Sequence, residues 1–372
     1  MGELACISGG AGLIGSHIVD LLLAKGYEVR VLDSLDEQTH PNGVPPWASK
    51  DAEWNVADVR HPGAWARAVK GVDLVFHQAA LGGFSPASAD YLSVNAIGTA
   101  LMFDAIREFA PNCRRVVVAS SQAVYGEGMY QCGELSCGPV HPGRRAAATL
   151  AGGDFSGEID WWCPVCTGAL EPILTPESML PDPFTMYGVS KLAQERTALV
   201  LGRQLGIPTI ALRYAVTYGP RQSLHNPYTG IVSIFASRLR QWLPAVIYED
   251  GCQTRDFIAV ADVARANLAA AETEYPSGAY NVGTGRATRV LDLAQAVATA
   301  IGVRCDIQMN GAYRPGDIRH LVHQPGALSP AQPTSLADGL RAFAEWFDGQ
   351  PLVPDRFDAA QAGLRVTGVV VG

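Results

Sequence analysis

Leu4-Ala5-Cys6-Ile7-Ser8-Gly9-Gly10-Ala11-Gly12-Leu13-Ile14-Gly15-Ser16-His17-Ile18-Val19 is the stretch that decides the fold. A short apolar run leads into a glycine cluster, and the apolar residues beyond it recur with helical spacing. The order is strand, tight turn, helix. Glycines at 9, 12 and 15 permit the turn, a close backbone approach to a pyrophosphate, and tight packing of helix on strand. The helix start then offers unsatisfied N–H groups and a positive dipole end to phosphates.

Outward from this stretch the same rhythm repeats. Leu4–Ser8 reads as a strand, Ile14–Lys25 as a helix and Glu28–Asp33 as a second strand. Val72–His77 and Arg115–Ser120 are further apolar, β-branched runs, and Tyr91–Glu108 between them has helical spacing. Such alternation predicts an α/β fold: a doubly wound parallel sheet of Rossmann type with helices on both faces. Residues 127–180 break the rhythm with Gly, Pro, Cys and Trp and read as an insertion. The pattern resumes with a helix at Tyr187–Gln204 and strands at Thr209–Tyr214 and Ala279–Val282. Pro351–Gly372 carries no assignable pattern.

The bulk properties narrow the class. With 372 residues, 48% apolar, the chain buries a core that needs no staples. Net charge is −8 and no dense Lys/Arg run tracks a phosphate backbone, which argues against a nucleic-acid partner. Apolar stretches fall short of the roughly 20 residues of a membrane span, and the early strand leaves no room for a signal peptide. A cytoplasmic address is the resulting expectation.

Asp33 closes the second strand. A carboxylate there accepts hydrogen bonds from ribose hydroxyls and repels a 2′-phosphate. No cation follows in Ser34-Leu35-Asp36-Glu37 to offset that repulsion, so NAD is expected over NADP. Further along, Tyr187-Gly188-Val189-Ser190-Lys191 sets a phenol and an ammonium four residues apart on one helix face. Tyrosine serves as a base near neutrality only if its pKa falls from about 10. Lys191, with the positive nicotinamide, is expected to supply that fall. Ser120-Ser121-Gln122 ends an apolar strand, where a hydroxyl can face the cofactor crevice.

Together these motifs resemble the extended short-chain dehydrogenase/reductase family, which contains the NAD-dependent nucleotide-sugar epimerases and dehydratases. The matching pieces are the glycine turn, Asp33, Asp58-Val59, His77-Gln78-Ala79-Ala80, Val94-Asn95 with Gly98-Thr99, and Ser120–Gly126. They continue with Tyr187–Lys191, Tyr218-Gly219-Pro220-Arg221, Arg255-Asp256-Phe257 and Arg314-Pro315-Gly316-Asp317. Most of residues 1–320 is covered in family order.

The resemblance implies a catalytic trio of Ser121, Tyr187 and Lys191. It implies cofactor contacts from Gly9, Gly12, Leu13, Ile14 and Gly15, from Asp33, and from Asp58 and Val59 on the adenine side. Ala79, Ala80, Asn95, Ser120, Tyr187, Lys191 and Tyr214 complete that set. Substrate contacts fall to Gly82, Gly83, Ser85, Ser121, Gln122 and Val216, and to Asn226, Arg314 and Asp317. Arg221 and Arg255 are placed near the substrate pyrophosphate, a role suited to guanidinium forks. Residues 1–126 form the expected NAD-binding domain, 127–180 the Cys-rich insertion, and 181–214 the return to that domain with the catalytic helix. Residues 215–372 are mainly a smaller substrate-binding region, with 253–282 contributing to the first domain. A homodimer through the helices near Tyr91–Glu108 and Tyr187–Gln204 is implied as well.

The residues after Ser121 select the reaction. Similar dehydratases carry an acidic pair there and decarboxylases one acid, for general acid–base work. This chain has Gln122 and Ala123, which leaves reversible oxidation alone, and hence an epimerase acting at a hydroxyl-bearing carbon such as carbon 4. Gln222–Ile231 and the cysteine insertion are similar to the branch containing dTDP-L-rhamnose 4-epimerases. A nucleotide-heptose 4-epimerase, a nucleotide-sugar dehydratase or decarboxylase, and a non-catalytic NAD-binding protein stay open as alternatives. One position departs from the pattern: many relatives have Asn where this chain has Val216.

Four of the eight cysteines fall together. Four residues separate Cys132 from Cys137 and two separate Cys163 from Cys166. Two such pairs approximate a zinc ribbon with four thiolates around a structural metal. His141 is an alternative ligand on the looser side.

Overall fold

The structure is a computed structural model that describes residues 2–83, 87–133, 137–143, 161–228, 230–272 and 274–372. The first strands in chain order are β1 (Leu4–Ser8), β2 (Glu28–Asp33), β3 (Glu53–Val56), β4 (Leu74–His77) and β5 (Arg115–Ser121). Then come β6 (Met129–Cys132), β7 (Pro139–Val140), β8 (Leu170–Ile173), β9 (Thr209–Tyr214) and β10 (Val216–Tyr218). The rest are β11 (Ala245–Ile247), β12 (Thr254–Ala259), β13 (Gly278–Val282), β14 (Ala287–Arg289), β15 (Ile307–Met309) and β16 (His320–Leu321). Seven of them form one parallel sheet in the order β13-β9-β5-β4-β1-β2-β3. The order reverses between β1 and β4, so a crevice opens beyond their carboxyl ends.

Alternation along the strands builds the two faces. Ala5 and Ile7 of β1 pack with Ile18 and Leu22 of α1 (Leu13–Ala24) and with Val263, a residue of the helix Val260–Glu272. Cys6, with Val75, Val116 and Val118, points the other way, onto Met102, Phe103 and Ala198. That second layer is made by the helices Pro62–Ala68, Gly98–Phe109 and Met186–Leu205. β5 is buried at every position, which explains its unbroken Val-Val-Val run.

The remaining elements form a smaller lobe. β10, β12 and β14 make a sheet with β16 added alongside β12, and β11 pairs with β15. Phe235, Phe257, Leu293, Val297 and Phe343 fill its core. β12 therefore belongs to this lobe, while the helix after it and β13 return to the large sheet. A further, three-stranded antiparallel sheet, β7-β6-β8, lies inside the insertion.

Several details differ from the sequence reading. The fourth strand begins at Leu74, because Asp73 turns back to accept the Leu4 N–H at 2.8 Å. The run Tyr91–Glu108 lies within an α-helical stretch, Ser88–Phe109, interrupted by a π-helical turn at Leu92–Ile97. β3 went unread because it is a four-residue edge strand, half-exposed and too short to stand out from its surroundings. At the end of the chain, Phe357–Val366 is helical and Val371 bridges to Tyr313.

Candidate active site

The glycine turn has the tight geometry its sequence requires. Gly9 has φ +71, and a Cβ there would sit 2.6 Å from the Ala79 nitrogen. A Cβ on Gly15 would strike the Gly9 carbonyl. Gly12 differs: a Cβ would meet nothing closer than 3.4 Å, so this glycine borders open space at the helix start. As N-cap of α1, Gly12 has no side-chain cap, which leaves the N–H groups of the first turn, Leu13 and Ile14 included, without that partner. Asp33, at the carboxyl end of β2, accepts the Ala11 N–H at 2.9 Å and the Leu35 N–H at 2.9 Å. The turn and the carboxylate are thus tied together, and they fit the diphosphate and ribose of a dinucleotide.

A strap that the sequence did not announce crosses this site. Trp47 donates to the Ala11 carbonyl at 3.1 Å and packs edge-on against Trp346. Gln38 reaches Asn226 at 3.3 Å, and Ser223 reaches the Thr39 carbonyl at 3.4 Å. On the opposite flank Asp58 is paired with Arg60 at 2.6 Å, and that guanidinium holds its carboxyl below the usual carboxylate range. Val59 packs against Gly98, and Tyr214 donates to Gln78 and Asn267.

The helix Met186–Leu205 begins because Thr185 caps it, accepting the Gly188 N–H, and it stops at Gly206 in the left-handed region. Its first turns carry Tyr187 and Lys191. Ser121 sits at the end of β5, where its Oγ takes the Ala123 N–H at 3.1 Å and lies near enough to Tyr187 to favour the phenolate. The Tyr187 ring lies edge-on to Tyr91, whose hydroxyl donates to the Gly83 carbonyl at 2.7 Å. Gly82 and Gly83 are thereby drawn toward the phenol; Ser85 lies outside the described residues.

In the chain without its cofactor, burial dominates the electrostatics of Tyr187 and Lys191. The Lys191 ammonium donates to Gln194 Oε1 at 2.5 Å. Burial raises Tyr187 above its usual value of 10, opposed by the nearby Ser121 hydroxyl, and burial lowers Lys191 to about 7. Desolvation penalises the charged form of each group.

Behind the trio runs a buried polar chain that sequence reasoning noted only as motif letters. Ser8 Oγ meets His77 Nδ1 at 2.6 Å, and His77 Nε2 meets Thr99 Oγ1 at 2.9 Å. Thr99 donates to the Asn95 carbonyl in the π-helical turn; Asn95 donates to Ser190, and Ser190 to the Tyr187 carbonyl. Burial holds His77 down at about 3, so it stays neutral. This chain fixes the catalytic helix to the strand that carries the glycine turn. Ser120, beside Ser121, donates to Glu195, which forms a buried pair with Arg213 at 2.7 Å.

Of the expected substrate arginines, two converge and one does not. Arg255 reaches Asp317 at 3.2 Å, Arg314 reaches it at 4.0 Å, and the Arg314 guanidinium lies 4.7 Å above the Tyr248 ring. Arg221 turns instead to Asp20 of α1, at 2.6 Å. Gln122 is buried with its Oε1 unpartnered among the described residues. Val216 is half-buried at the start of β10.

The cysteines of the insertion do meet. The sulfurs of Cys132, Cys137, Cys163 and Cys166 all lie within 4.8 Å of one another. Around a tetrahedral zinc with bonds of about 2.3 Å, sulfurs would sit about 3.8 Å apart. The Val165 N–H points at Cys163 Sγ and the Gly168 N–H at Cys166 Sγ, each at 3.4 Å. N–H donation from residues 166 and 165 lowers the Cys163 thiol to about 7, while the neighbouring sulfurs push the Cys137 thiol up to about 12. His141 lies apart from this group, its ring 6.2 Å from that of Phe184.

The family model described as NAD dependent epimerase/dehydratase family matches residues 5–147 and 167–283. A dTDP-L-rhamnose 4-epimerase of Burkholderia thailandensis is 36% identical over 328 residues, 86% of each chain. A UDP-glucose 4-epimerase of Thermus thermophilus, solved in complex with NAD, is 30% identical with a TM-score of 0.71, covering 94% of this chain and 100% of that one. The UDP-glucose 4-epimerase of Thermotoga maritima, solved with UDP-glucose, is 25% identical with a TM-score of 0.74, covering 93% and 99%.

Proposed function

The chain belongs to the NAD-dependent epimerase/dehydratase family, and within it we propose that this protein is a nucleotide-sugar 4-epimerase that works through bound NAD. The observation that carries the reading is the placement of Ser121, at the end of β5, against the helix turns that carry Tyr187 and the buried Lys191, at the end of the crevice that holds the glycine turn and Asp33.

NAD, when bound, supplies a hydride acceptor that returns what it takes, together with a positive ring charge. Leu13 and Ile14 N–H groups would hold its diphosphate, and Asp33 its ribose. Tyr187 takes the proton of the hydroxyl on carbon 4, and Ser121 steadies that oxygen as the carbon becomes a ketone. Lys191 and Tyr187 suit one another: burial disfavours each charge alone, while a phenolate beside an ammonium is a neutral pair. The keto-sugar then turns over in the site, and Tyr187 gives the proton back on the opposite configuration. Gln122 and Ala123 offer no acid for loss of water or of a carboxyl group, which sets this reading apart from dehydratases and decarboxylases. Arg255 and Arg314, converging on Asp317, receive the diphosphate of the sugar nucleotide.

Three finer readings go with this one. dTDP-L-rhamnose is the first substrate to test, given the Burkholderia relative. The four thiolates hold a structural zinc, since a closed four-sulfur site leaves no position for chemistry. A second copy packs on the helices Gly98–Phe109 and Met186–Leu205, next to the exposed Ile97 and Val200. No described helix is long and apolar enough to cross a membrane.

The test is to incubate the protein with dTDP-L-rhamnose and a panel of nucleotide hexoses and heptoses, and to read carbon 4 by NMR. Inversion with no net NADH is the expected result. Accumulated NADH, lost water or released carbon dioxide would overturn the reading.

A further inference from the structure

The cysteine hairpin leaves the catalytic strand and lands on the strand that positions Arg255. After Ser121 the chain makes one short 3-10 turn and reaches Glu127, whose side chain is 1% exposed. Glu127 Oε2 accepts the Arg319 N–H at 2.7 Å. Its Oε1 accepts the His320 N–H at 2.7 Å and the Tyr130 hydroxyl at 3.1 Å. In return the Gly128 N–H donates to the His320 carbonyl at 3.0 Å, and a Cβ on residue 128 would strike that carbonyl. The two backbones are clamped in both directions.

Residues 317–320 are the same backbone that holds Arg255. His320 pairs with Thr254 across β16 and β12, and its Nδ1 meets Thr254 Oγ1 at 2.8 Å. The Arg255 guanidinium donates to the carbonyls of Arg319 (3.2 Å) and Ile318 (2.5 Å) and to Asp317 (3.2 Å). On the other side, Tyr130 is two residues from Cys132, and its ring packs edge-on against both His320 and Trp161, each at 6.2 Å. A continuous path therefore joins the four sulfurs, Tyr130, Glu127, the 317–320 backbone and Arg255.

We propose that Glu127 is a positioning residue for Arg255 and that the four-sulfur site anchors it, so that a metal bound there sets the affinity for the sugar nucleotide. It sets neither cofactor occupancy nor the chemical step. The argument is one of hydrogen-bond chemistry. A carboxylate can accept from three donors at once, whereas an amide in the same place must turn an N–H toward one of the two backbone N–H groups. The proposal rests on the reading of Arg255 as a diphosphate ligand.

The experiment titrates NAD-loaded protein with dTDP and with UDP by calorimetry, and follows KM and kcat on the substrate found above. Glu127→Gln should weaken binding of the preferred diphosphate about tenfold. KM should rise to match, with kcat within about twofold and NAD content unchanged. Stripping metal from the unmodified protein with a chelator should weaken binding comparably, added zinc should restore it, and the same treatment of Glu127→Gln should add little. Unchanged diphosphate affinity in Glu127→Gln, or a fall in kcat alone, overturns the proposal. Should Glu127→Gln not fold, Tyr130→Phe removes one donor and must weaken binding in the same direction, or the proposal fails. Arg255→Gln separates the two readings. If it leaves dTDP and UDP affinity intact, the assignment of Arg255 itself falls; if it weakens binding while Glu127→Gln does not, only the present inference falls.

Discussion

Ser121 and Cys132 are eleven residues apart in sequence, yet they sit in regions ordered by different physics. The edge that carries Ser121, Tyr187 and Lys191 is held by a seven-stranded sheet with a filled layer on each face. That mass lets it keep groups that burial disfavours: a lysine lowered to about 7, a tyrosine pushed up, and a buried Arg213–Glu195 pair. The hairpin has three short strands, and its own buried cluster is Tyr130, Cys132, Cys163 and Leu170. A core that small does not by itself order a sheet in water; the proposed metal on the four sulfurs would add the cross-link it lacks. Strain at a site is tolerated where the surrounding fold over-determines the geometry.

Substitutions that act on one region and spare the other sharpen this contrast. The largest effect is expected from Tyr187→Phe. It should cost about 10³-fold in turnover, within the range of a lost general base, while NAD content and metal content stay as they were. An active variant would remove the catalytic edge from the comparison altogether.

Next comes Glu195→Ala, which leaves the Arg213 guanidinium buried without its carboxylate. Chemical denaturation should show a loss of about 3–5 kcal/mol, with metal content again unchanged. A loss under about 1 kcal/mol would mean that the pair behaves like a surface bridge and that the edge is not the rigid region described.

The effect that is smallest for a single step of one pH unit is a pH dependence. Lys191 is lowered from 10.5 to about 7 in the fold. Between those values the unfolded chain holds a proton that the folded chain has released. Its contribution to stability is therefore present above about 10.5 and lost as pH falls toward about 7. In cofactor-free protein, unfolding free energies of the unmodified chain and Lys191→Met should diverge with rising pH by about 1 kcal/mol per unit in this window. Parallel curves would show that Lys191 is charged in the fold, and so that burial does not govern this edge.

Legibility in the sequence divides along the same line. β1, β2 and β9 were readable to the residue, because strands buried on both faces are apolar runs with sharp polar or glycine ends. Edge strand β3 and the strap at Gln38–Trp47 were not, since their order comes from long-range partners such as the Ala11 carbonyl and Asn226. Tyr187 and Lys191 announced themselves by spacing on one helix. The hydrogen-bonded chain through Ser8, His77, Thr99, Asn95 and Ser190 joins four elements, and no local pattern shows those residues bonded to one another. Arg221 illustrates the reverse case: a motif letter suggested one neighbour, and packing supplied Asp20.

By itself, then, the sequence determined the parallel sheet, the glycine turn with its carboxylate, the spacing of phenol and ammonium, and the grouping of four thiols. These depend on short-range periodicity and on residue chemistry, both written in the order of the letters. Only the tertiary structure decided which charges desolvation would disfavour, which arginines meet, and that Glu127 clamps residues 319 and 320. Those depend on distances between segments up to two hundred residues apart in the chain, and folding alone sets them.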